Sequence, residues 1–161
     1  MEFSIRDMLP EDMEGKAYVH WKAWHETYTG LIDQDFLDNR TLEQCMDKAR
    51  RFPDRMLIAE ANGKIVGFAR YGEYQYDKLA DHGEIQALYV LKEYHHQKIG
   101  YALMNACMDR LNDYPRVAVW VLRGNETAIR FYERYGFRFD GASMEVMLGT
   151  PNTELRMIYR R

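Results

Sequence analysis

Long apolar runs are absent from this sequence of 161 residues. No stretch approaches the roughly 20 consecutive apolar residues that a membrane-spanning helix needs. The N-terminus also lacks a basic segment followed by an apolar one, which is the pattern of a secretory signal. We therefore expect a cytoplasmic protein that has no membrane partner.

Cysteine is scarce, with two residues in the whole chain. Cys45 and Cys107 lie far apart, and each falls in a segment with a helical pattern, so free thiols are expected rather than a disulfide framework. The five histidines, of which His95 and His96 are adjacent, do not show the spacing of a metal site. The sequence therefore predicts no bound metal.

A surplus of one charge is also lacking. The chain carries 22 basic and 25 acidic residues, a formal net charge of −3, without long like-charge runs. This balance does not favour nucleic acid or an anionic membrane as a partner, whereas a cationic small molecule is compatible with it. The chain does have 47% hydrophobic and 14% aromatic residues, enough for the core of one domain over residues 1–161.

Apolar periodicity and turn residues predict seven strands and four helices. Their order is one strand, two helices, three strands, a helix, a strand, a helix and two strands. Asn62 and Gly63 suit the positive φ angles of a tight hairpin turn between the second and third strands. Asp33 can cap a short turn, and Thr41 with Gln44 forms a capping box before the second helix.

The stretch "YHHQKIGYALM", from Tyr94 to Met104, joins a strand to an apolar helix. The first N–H groups of a helix have no intrahelical partner, and together with the helix dipole they attract anions such as a pyrophosphate. Loops of this kind usually hold several glycines, whereas this one holds Gly100 alone. Lys98 can compensate by placing its charge across the anion. On these residues alone, an ordinary α/β connection is an equally good interpretation.

A second stretch, "NETAIRFYERYGF", runs from Asn125 to Phe137 after the next strand. Asn125 suits a helix N-cap, and Gly136 suits the end of that helix. The order of "LYV", "HHQKIGYALM", a strand and this stretch resembles the GNAT superfamily of acyl-CoA-dependent N-acyltransferases, of the bacterial small-molecule type. The resemblance covers nearly the whole chain. It implies an α/β (α+β) fold, with a mixed, twisted sheet of about seven strands flanked by about four helices and splayed open to hold acyl-CoA.

The resemblance also implies acetyl-CoA as the cofactor and assigns its contacts. In the family, the strand before the loop binds the pantetheine arm through its backbone, a role that falls on Leu88, Tyr89 and Val90. The pyrophosphate would contact the loop and the first helical turn, made of His95, His96, Gln97, Lys98, Ile99, Gly100, Tyr101 and Ala102. The second motif would contribute Asn125, Ala128, Phe131 and Tyr132. His95 and Lys98 depart from the usual loop, which has Arg or Gln and Gly at those positions.

Acyl transfer from a thioester to an amine needs a base for the amine and a proton for the departing thiolate. The family pattern gives the second role to Tyr132, which without the motif would be interpreted as a core aromatic. Glu84 matches the position of a glutamate base in some members, on the expectation that residues 84, 86 and 88 share one face of the strand. The alternatives are that Glu84 is a solvated carboxylate and that His82 or water takes the proton.

The acceptor is expected between the first two helices and the neighbouring loops. The segments "WKAWHETYTGLIDQDF" and "GEYQYDKLADH" combine aromatic and acidic residues, which suits a cationic amine. Candidate contacts are Trp24, Tyr28, Tyr74 and Glu84, although Trp24 is more simply explained as part of the core. The sequence thus predicts an acetyl-CoA-dependent N-acetyltransferase that modifies a primary amine of a small molecule, such as a polyamine, by direct attack in a ternary complex.

Two other functions fit parts of the pattern. A GNAT-like sensor that binds acyl-CoA without efficient catalysis would explain His95 and Lys98, but not the retention of Tyr132 and Glu84. An α/β domain that binds a nucleotide would need a Gly-rich phosphate loop or a three-glycine dinucleotide pattern, and the sequence has neither. Apolar residues in the C-terminal strands could pair two subunits as a homodimer.

Overall fold

The computed structural model describes residues 1–77 and 79–161. Within them the strands are β1 Ser4–Asp7, β2 Met56–Ala61, β3 Lys64–Glu73, β4 His82–Val90, β5 Arg116–Leu122, β6 Arg138–Leu148 and β7 Thr150–Arg160. The helices are α1 Met13–Tyr28, α2 Gln34–Asp38, α3 Leu42–Arg51, α4 Ile99–Arg110 and α5 Glu126–Tyr135. The strands form one sheet in the order β1-β2-β3-β4-β5-β7-β6.

The sheet is mixed, as predicted. β4 and β5 run parallel, and the other neighbouring strands run antiparallel. Five α-helices flank the sheet in the described residues, one more than expected, because the turn that Asp33 caps is the short helix α2. The longest helix, α1, has 16 residues, and no helix among the described residues combines the length and the apolar character of a membrane span.

Local residue chemistry determines where several elements begin. The Asp33 carboxylate accepts a hydrogen bond from the backbone N–H of Phe36 at the start of α2. Thr41 and Gln44 exchange the two hydrogen bonds of a capping box before α3. Asn62 and Gly63 have φ angles of 53° and 75°, so the turn between β2 and β3 is the tight hairpin turn that the sequence predicted.

Hydrophobic clusters cover both faces of the sheet. On one face, which we call the α4 face, α4 and α5 bury residues such as Leu103, Met104 and Phe137. On the other, which we call the α1 face, α1 packs Val19 against Phe68. The two faces of the sheet are thus covered by different helices.

The sheet is open in its middle because β4 and β5 pair over only part of their length. Their ladder runs from His82 opposite Arg116 to Ile85 opposite Val119. Beyond that point β4 continues to residue 90 and β5 to residue 122, with no further pairing between them in the described residues. This opening is the splay that the resemblance implied.

A β-bulge interrupts β4 at the start of the opening. The register with β3 shifts between two pairs, Arg70 with Ala87 and Tyr71 with Ile85, so that Gln86 has no partner. An inserted residue reverses the alternation of side chains between the two faces of a strand.

The bulge moves Glu84 to the α1 face. Ile85 and Leu88 lie in the same α4-face cluster, although a regular strand would place residues three apart on opposite faces. Glu84 therefore faces away from Leu88, and its neighbour in register, Ala118, packs on the α1 face. The expectation that residues 84, 86 and 88 share a face is wrong, because it assumed an uninterrupted strand.

The last two strands are longer than the sequence pattern indicated. The segments "FRFDGA" and "ELRMIYR" are parts of β6 and β7, which have 11 residues each. Gly149 joins them at a φ of 80°, and a Cβ atom there would lie 2.7 Å from atoms of Asp33 and Phe36. The tip of this hairpin therefore rests against α2. The extra length escaped the sequence analysis because β6 alternates between exposed and half-buried residues and contributes little to the core.

Candidate active site

A cavity of about 1320 Å³ lies where β4 and β5 separate. Its volume exceeds the roughly 300–1,000 Å³ of a usual small-molecule site. One part, which we call the α5 side, is lined by the loop before α4 and by α5; the other, which we call the α1 side, is lined by α1, β3 and the ends of β5 and β7. Two ligands can therefore meet in it from opposite faces of the sheet.

The α5 side begins with open backbone donors at the start of α4. Five consecutive N–H groups have no acceptor among the described residues: Gln97, Lys98, Ile99, Gly100 and Tyr101. The Ala102 N–H is already bonded to Lys98 O at 3.0 Å, and Ala102 does not line the cavity. Its prediction as a cofactor contact is therefore corrected: the first complete turn of the helix begins there.

Two residues of this loop adopt left-handed backbone conformations without being glycine. His96 has a φ angle of 63° and Lys98 one of 67°. A residue with a Cβ atom costs roughly 1 kcal/mol in this region. Lys98 stands where the family pattern has glycine. This chain therefore has the left-handed backbone conformation that glycine favours, and the Cβ atom of Lys98 makes that conformation less stable.

The loop is fastened to β4 and has room for an anion. His95 Nε2 donates a hydrogen bond to Val90 O at 2.8 Å, and His95, His96 and Lys98 all line the cavity. A Cβ atom on Gly100 would meet the Phe131 ring at 3.5 Å and fill the space beside the open N–H groups. Unpaired N–H groups at a helix start next to a lysine are the donors that a pyrophosphate requires. Gln97 does not line the cavity, so its prediction as a cofactor contact is corrected as well.

The open edge of β4 continues from the loop. The Leu91 N–H donates to Val66 O on β3. Because backbone groups alternate along a strand, Tyr89 also turns its backbone toward β3, whereas Leu88 and Val90 turn theirs toward the opening, where Val90 O accepts the hydrogen bond from His95. Leu88, Tyr89 and Val90 all line the cavity.

α5 supplies the remaining residues of this side. Asn125 Oδ1 accepts a hydrogen bond from the Ala128 N–H at 3.3 Å, which is the predicted N-cap. Ala128, Phe131 and Tyr132 line the cavity. Tyr132 is 8% exposed, and burial raises the pKa of its phenol. Tyr132 therefore keeps its proton at neutral pH.

Glu84 lies on the α1 side, where β4 leaves β5. Its side chain lines the cavity although the residue is only 3% exposed. Desolvation raises the pKa of Glu84 to about 7, with Glu154 adding to the shift and Arg70 opposing it. A carboxyl group with such a pKa can take up and release a proton near neutral pH.

Glu154 is a cavity residue that the sequence analysis missed. It lies opposite Leu122 on β5 and lines the cavity, and desolvation raises its pKa as well. Its strand was recognised from the sequence, but the pairing of β7 with β5 was not, and that pairing is what brings Glu154 to Glu84.

Tyrosine hydroxyl groups border the α1 side. Tyr28 and Tyr89 are joined by a hydrogen bond of 2.9 Å between their hydroxyl oxygens, and the Trp24 ring packs 4.8 Å from that of Tyr28. All three line the cavity. Trp24 and Tyr28 thus lie where the sequence placed acceptor contacts, while Trp24 also belongs to a hydrophobic cluster.

Tyr74, a predicted acceptor contact, is not among the residues that line the cavity. Its hydroxyl accepts a hydrogen bond from Arg156 Nη1 at 3.0 Å and donates one to Asp77 at 3.3 Å. Arg156 is nearly buried and takes both residues as partners. Tyr76, two residues further on, lines the cavity instead. The prediction that Tyr74 contacts the acceptor is therefore corrected. Arg156, on the distant strand β7, binds the Tyr74 hydroxyl, and no local sequence pattern indicates that contact.

A third part of the cavity lies between α1, α3 and β3. We call it the basic lobe, after the nitrogen-bearing side chains that line it: Lys16, His20, Lys48 and Arg70. Phe52, Met56 and Phe68 form its apolar walls. Nothing in the sequence pattern indicated this lobe, because its four nitrogen-bearing side chains come from three separate elements.

The family model described as "Acetyltransferase (GNAT) family" matches residues 15–137. The chain belongs to the GNAT family. It is therefore a member of a family of acyltransferases, as the two motifs predicted. Acetyl-CoA, the predicted cofactor, is the acyl donor that GNAT proteins use.

Relatives of this GNAT protein span most of its length. An uncharacterised N-acetyltransferase of Bacillus subtilis is 28% identical, with 92% of this chain and 93% of the relative covered. A spermidine N(1)-acetyltransferase of Thermoplasma acidophilum is 23% identical, with 87% and 91% covered. The crystal structure of the PaiA N-acetyltransferase of T. acidophilum in complex with coenzyme A matches at a TM-score of 0.77 and 22% identity over 100% of both chains. This structural likeness confirms the predicted fold.

Proposed function

We propose that this GNAT protein transfers the acetyl group of acetyl-CoA to a primary amine of a small molecule by direct attack in a ternary complex. The observation that carries the proposal is the continuous cavity, which runs from the open N–H groups before α4 to the buried carboxyl group of Glu84. A route through an acyl-cysteine is not supported, because Cys45 and Cys107 are buried and neither lines the cavity.

Bound acetyl-CoA would supply an activated thioester. Its pyrophosphate would be held by the four open N–H groups from Lys98 to Tyr101, and its pantetheine arm by the backbone of Leu88 and Val90. Lys98 adds a positive charge beside the phosphates. These residues bind and orient the donor, and Phe131 with Ala128 shields it from water on the α5 side.

Glu84 acts as the base in this proposal. An amine bound near neutral pH carries a proton that must leave before it can attack. The raised pKa of Glu84, about 7, suits a group that accepts this proton and passes it to solvent. His82, the alternative base, is a weaker candidate because its ring bonds to the Ala80 carbonyl oxygen and does not line the cavity.

Tyr132 acts as the acid. It reaches the cavity from the α4 face, whereas Glu84 reaches it from the α1 face, so one proton is removed and another supplied on opposite sides of the opening. The raised pKa of Tyr132 means that its phenol is protonated when a thiolate departs.

A cationic amine such as a polyamine was the acceptor predicted from the sequence. The Glu84 and Glu154 carboxyl groups support the binding of an ammonium group at the α1 side. The name of the T. acidophilum relative, a spermidine N(1)-acetyltransferase, supports an amine acceptor in the same way.

The proposal is tested by thiol release from acetyl-CoA in the presence of a panel of primary amines. We expect release that depends on an amine, and we expect Tyr132→Phe to lower turnover by about 10²-fold or more while calorimetry gives an unchanged acetyl-CoA affinity. Tyr159→Phe, at a tyrosine that does not line the cavity, serves as the matched control.

Two results would contradict the proposal. If acetyl-CoA binds but no amine releases thiol, the protein is a sensor of acyl-CoA rather than an enzyme acting on small amines. If Tyr132→Phe and Tyr159→Phe have the same turnover as the unmodified protein, Tyr132 has no part in the chemistry.

A further inference from the structure

The basic lobe contains a buried lysine with no anionic partner. Lys16 is 2% exposed, and its Nζ lies 4.6 Å from the centre of the Phe68 ring. Among the described residues it has neither a hydrogen-bond acceptor nor a carboxylate within salt-bridge distance. Lysine is almost never fully buried unless it is paired. The Phe68 ring attracts the ammonium group but does not neutralise its charge, so a buried lysine that lines a cavity without an anionic partner indicates that this partner is a ligand.

Other donors around the lobe also lack acceptors. Arg40 Nη2 donates to His20 Nε2 at 3.0 Å, which leaves the His20 proton on Nδ1. That Nδ1 is buried without a partner among the described residues, and so are the Nε atoms of Arg40 and Arg70. Every one of these atoms is a donor, so the group that would satisfy them is an acceptor.

The charges facing Lys16 raise the energetic cost of this arrangement. Desolvation, with smaller contributions from Lys48, Arg70 and Arg40, lowers the pKa of Lys16 to about 8, while Cys45 opposes the shift. Desolvation and Arg40 lower the pKa of Lys48 in the same way. Lys16 is buried, Arg40 and Arg70 are half-buried and Lys48 is exposed, and a buried cation beside other cations destabilises the fold. A bound anion would offset that cost, whereas a purely structural role gives no reason for it.

We propose that the basic lobe binds a carboxylate or phosphate group of the acceptor, so that the substrate is a small molecule with a primary amine at one end and an anionic group at the other. The amine half of this assignment rests on the proposed function. The anion-binding half rests on Lys16, His20, Lys48 and Arg70 alone.

Arg70 connects the anion-binding lobe to the reacting centre. Its Nη1 donates to Gln86 Oε1 at 2.8 Å, and Gln86 is the bulge residue two positions after Glu84. An acceptor whose anion lies between Lys16 and Arg70 therefore has its other end directed along β4 toward Glu84. The apolar walls, Phe52, Met56 and Phe68, suit a hydrocarbon chain between the two polar ends.

A polyamine makes the opposite demand on this lobe. Its additional ammonium groups would lie against lysine and arginine, and like charges at short range cost free energy. The two acceptor classes thus predict opposite orders of preference, which makes the assignment testable with matched compounds.

The first arm of the test compares acceptors of equal chain length. We expect kcat/KM for amino carboxylates or aminoalkyl phosphates to exceed that for amino alcohols and diamines by at least about tenfold. The carboxylate and phosphate series identify which anion is preferred. Equal or higher kcat/KM for diamines or spermidine would overturn the proposal.

The second arm removes the charge of the lobe. Lys16→Met keeps the length of the side chain and should bring kcat/KM for anionic acceptors down to that for amino alcohols, mainly through KM. Lys64→Met, at an exposed position at the start of β3, is the matched control and should keep the preference. A Lys16→Met protein with the same preference as the control would contradict the assignment.

The third arm separates this proposal from the proposed function. Inorganic phosphate is titrated into the CoA-saturated protein, and the melting temperature is followed for the unmodified chain and for Lys16→Met. Stabilisation by phosphate that requires Lys16 would support the anion site even if no amine released thiol. Equal phosphate effects in both proteins would refute the anion site even if acetyl transfer were observed.

Discussion

At the scale of single residues, burial in the cavity raises the pKa of a carboxyl group and lowers the pKa of an ammonium group, so that both come closer to 7. The carboxyl group of Glu84 has its pKa raised to about 7, and the ammonium group of Lys16 has its pKa lowered to about 8. Both shifts have desolvation as their largest cause. In our account the first group exchanges protons, and the second keeps a charge that a ligand can neutralise.

The role of Glu84 predicts a specific pH dependence. A base must be deprotonated, so kcat/KM should rise as the pH increases through about 7 and level off above it. Glu84→Gln should lower kcat/KM by about 10²-fold and remove this rise. Because the pKa of Lys16 is about 8, the profile is best recorded with an amino alcohol, an acceptor that has no anionic group for Lys16 to bind. An unchanged profile in Glu84→Gln would remove Glu84 from the mechanism.

These residues differ in how far the sequence predicted them. Tyr132 and Asn125 belong to a contiguous motif, and Glu84 was matched to a family position four residues before Leu88. Glu154 and Lys16 come to the cavity through strand order and helix packing, which no local pattern encodes. Tyr74 was misassigned for the same reason, since its partner Arg156 comes from a distant strand.

For helices and strands, ends and turns were predictable because their causes are local. The capping box at Thr41 and the turn at Asn62 depend on neighbours within three residues. The bulge at Gln86 depends on how β3 and β4 align, so no local pattern indicated it, and the face of Glu84 was wrongly predicted. The opening of the sheet was anticipated only through the resemblance to a family.

The junction between the loop and α4 provides a test of backbone strain. Lys98 has a φ angle of 67°, so Lys98→Gly should raise the free energy of unfolding by roughly 1 kcal/mol in the absence of CoA. Lys98→Ala removes the same charge but keeps a Cβ atom, so it should leave the strain in place. Chemical denaturation of both variants measures the difference. Equal stabilities would show that the left-handed conformation at residue 98 is not strained.

For the molecule as a whole, function follows from a sheet that opens between two differently covered faces. The α4 face presents open N–H groups and Tyr132, and the α1 face presents Glu84, Glu154 and the basic lobe. The single-domain organisation and the homodimer stay predictions. The outer strand β6 exposes Phe139 and Met147, and substitutions of these two residues would test for a dimer.

The proposed mechanism requires that acetyl-CoA and the amine both be bound before the acetyl group moves. Initial rates of thiol release, with acetyl-CoA and an amino carboxylate varied together, test that requirement. We predict double-reciprocal lines that intersect, as in a ternary-complex mechanism. Parallel lines would indicate an acetylated enzyme intermediate, and a rate independent of the amine would mean that this protein does not transfer acetyl groups to it.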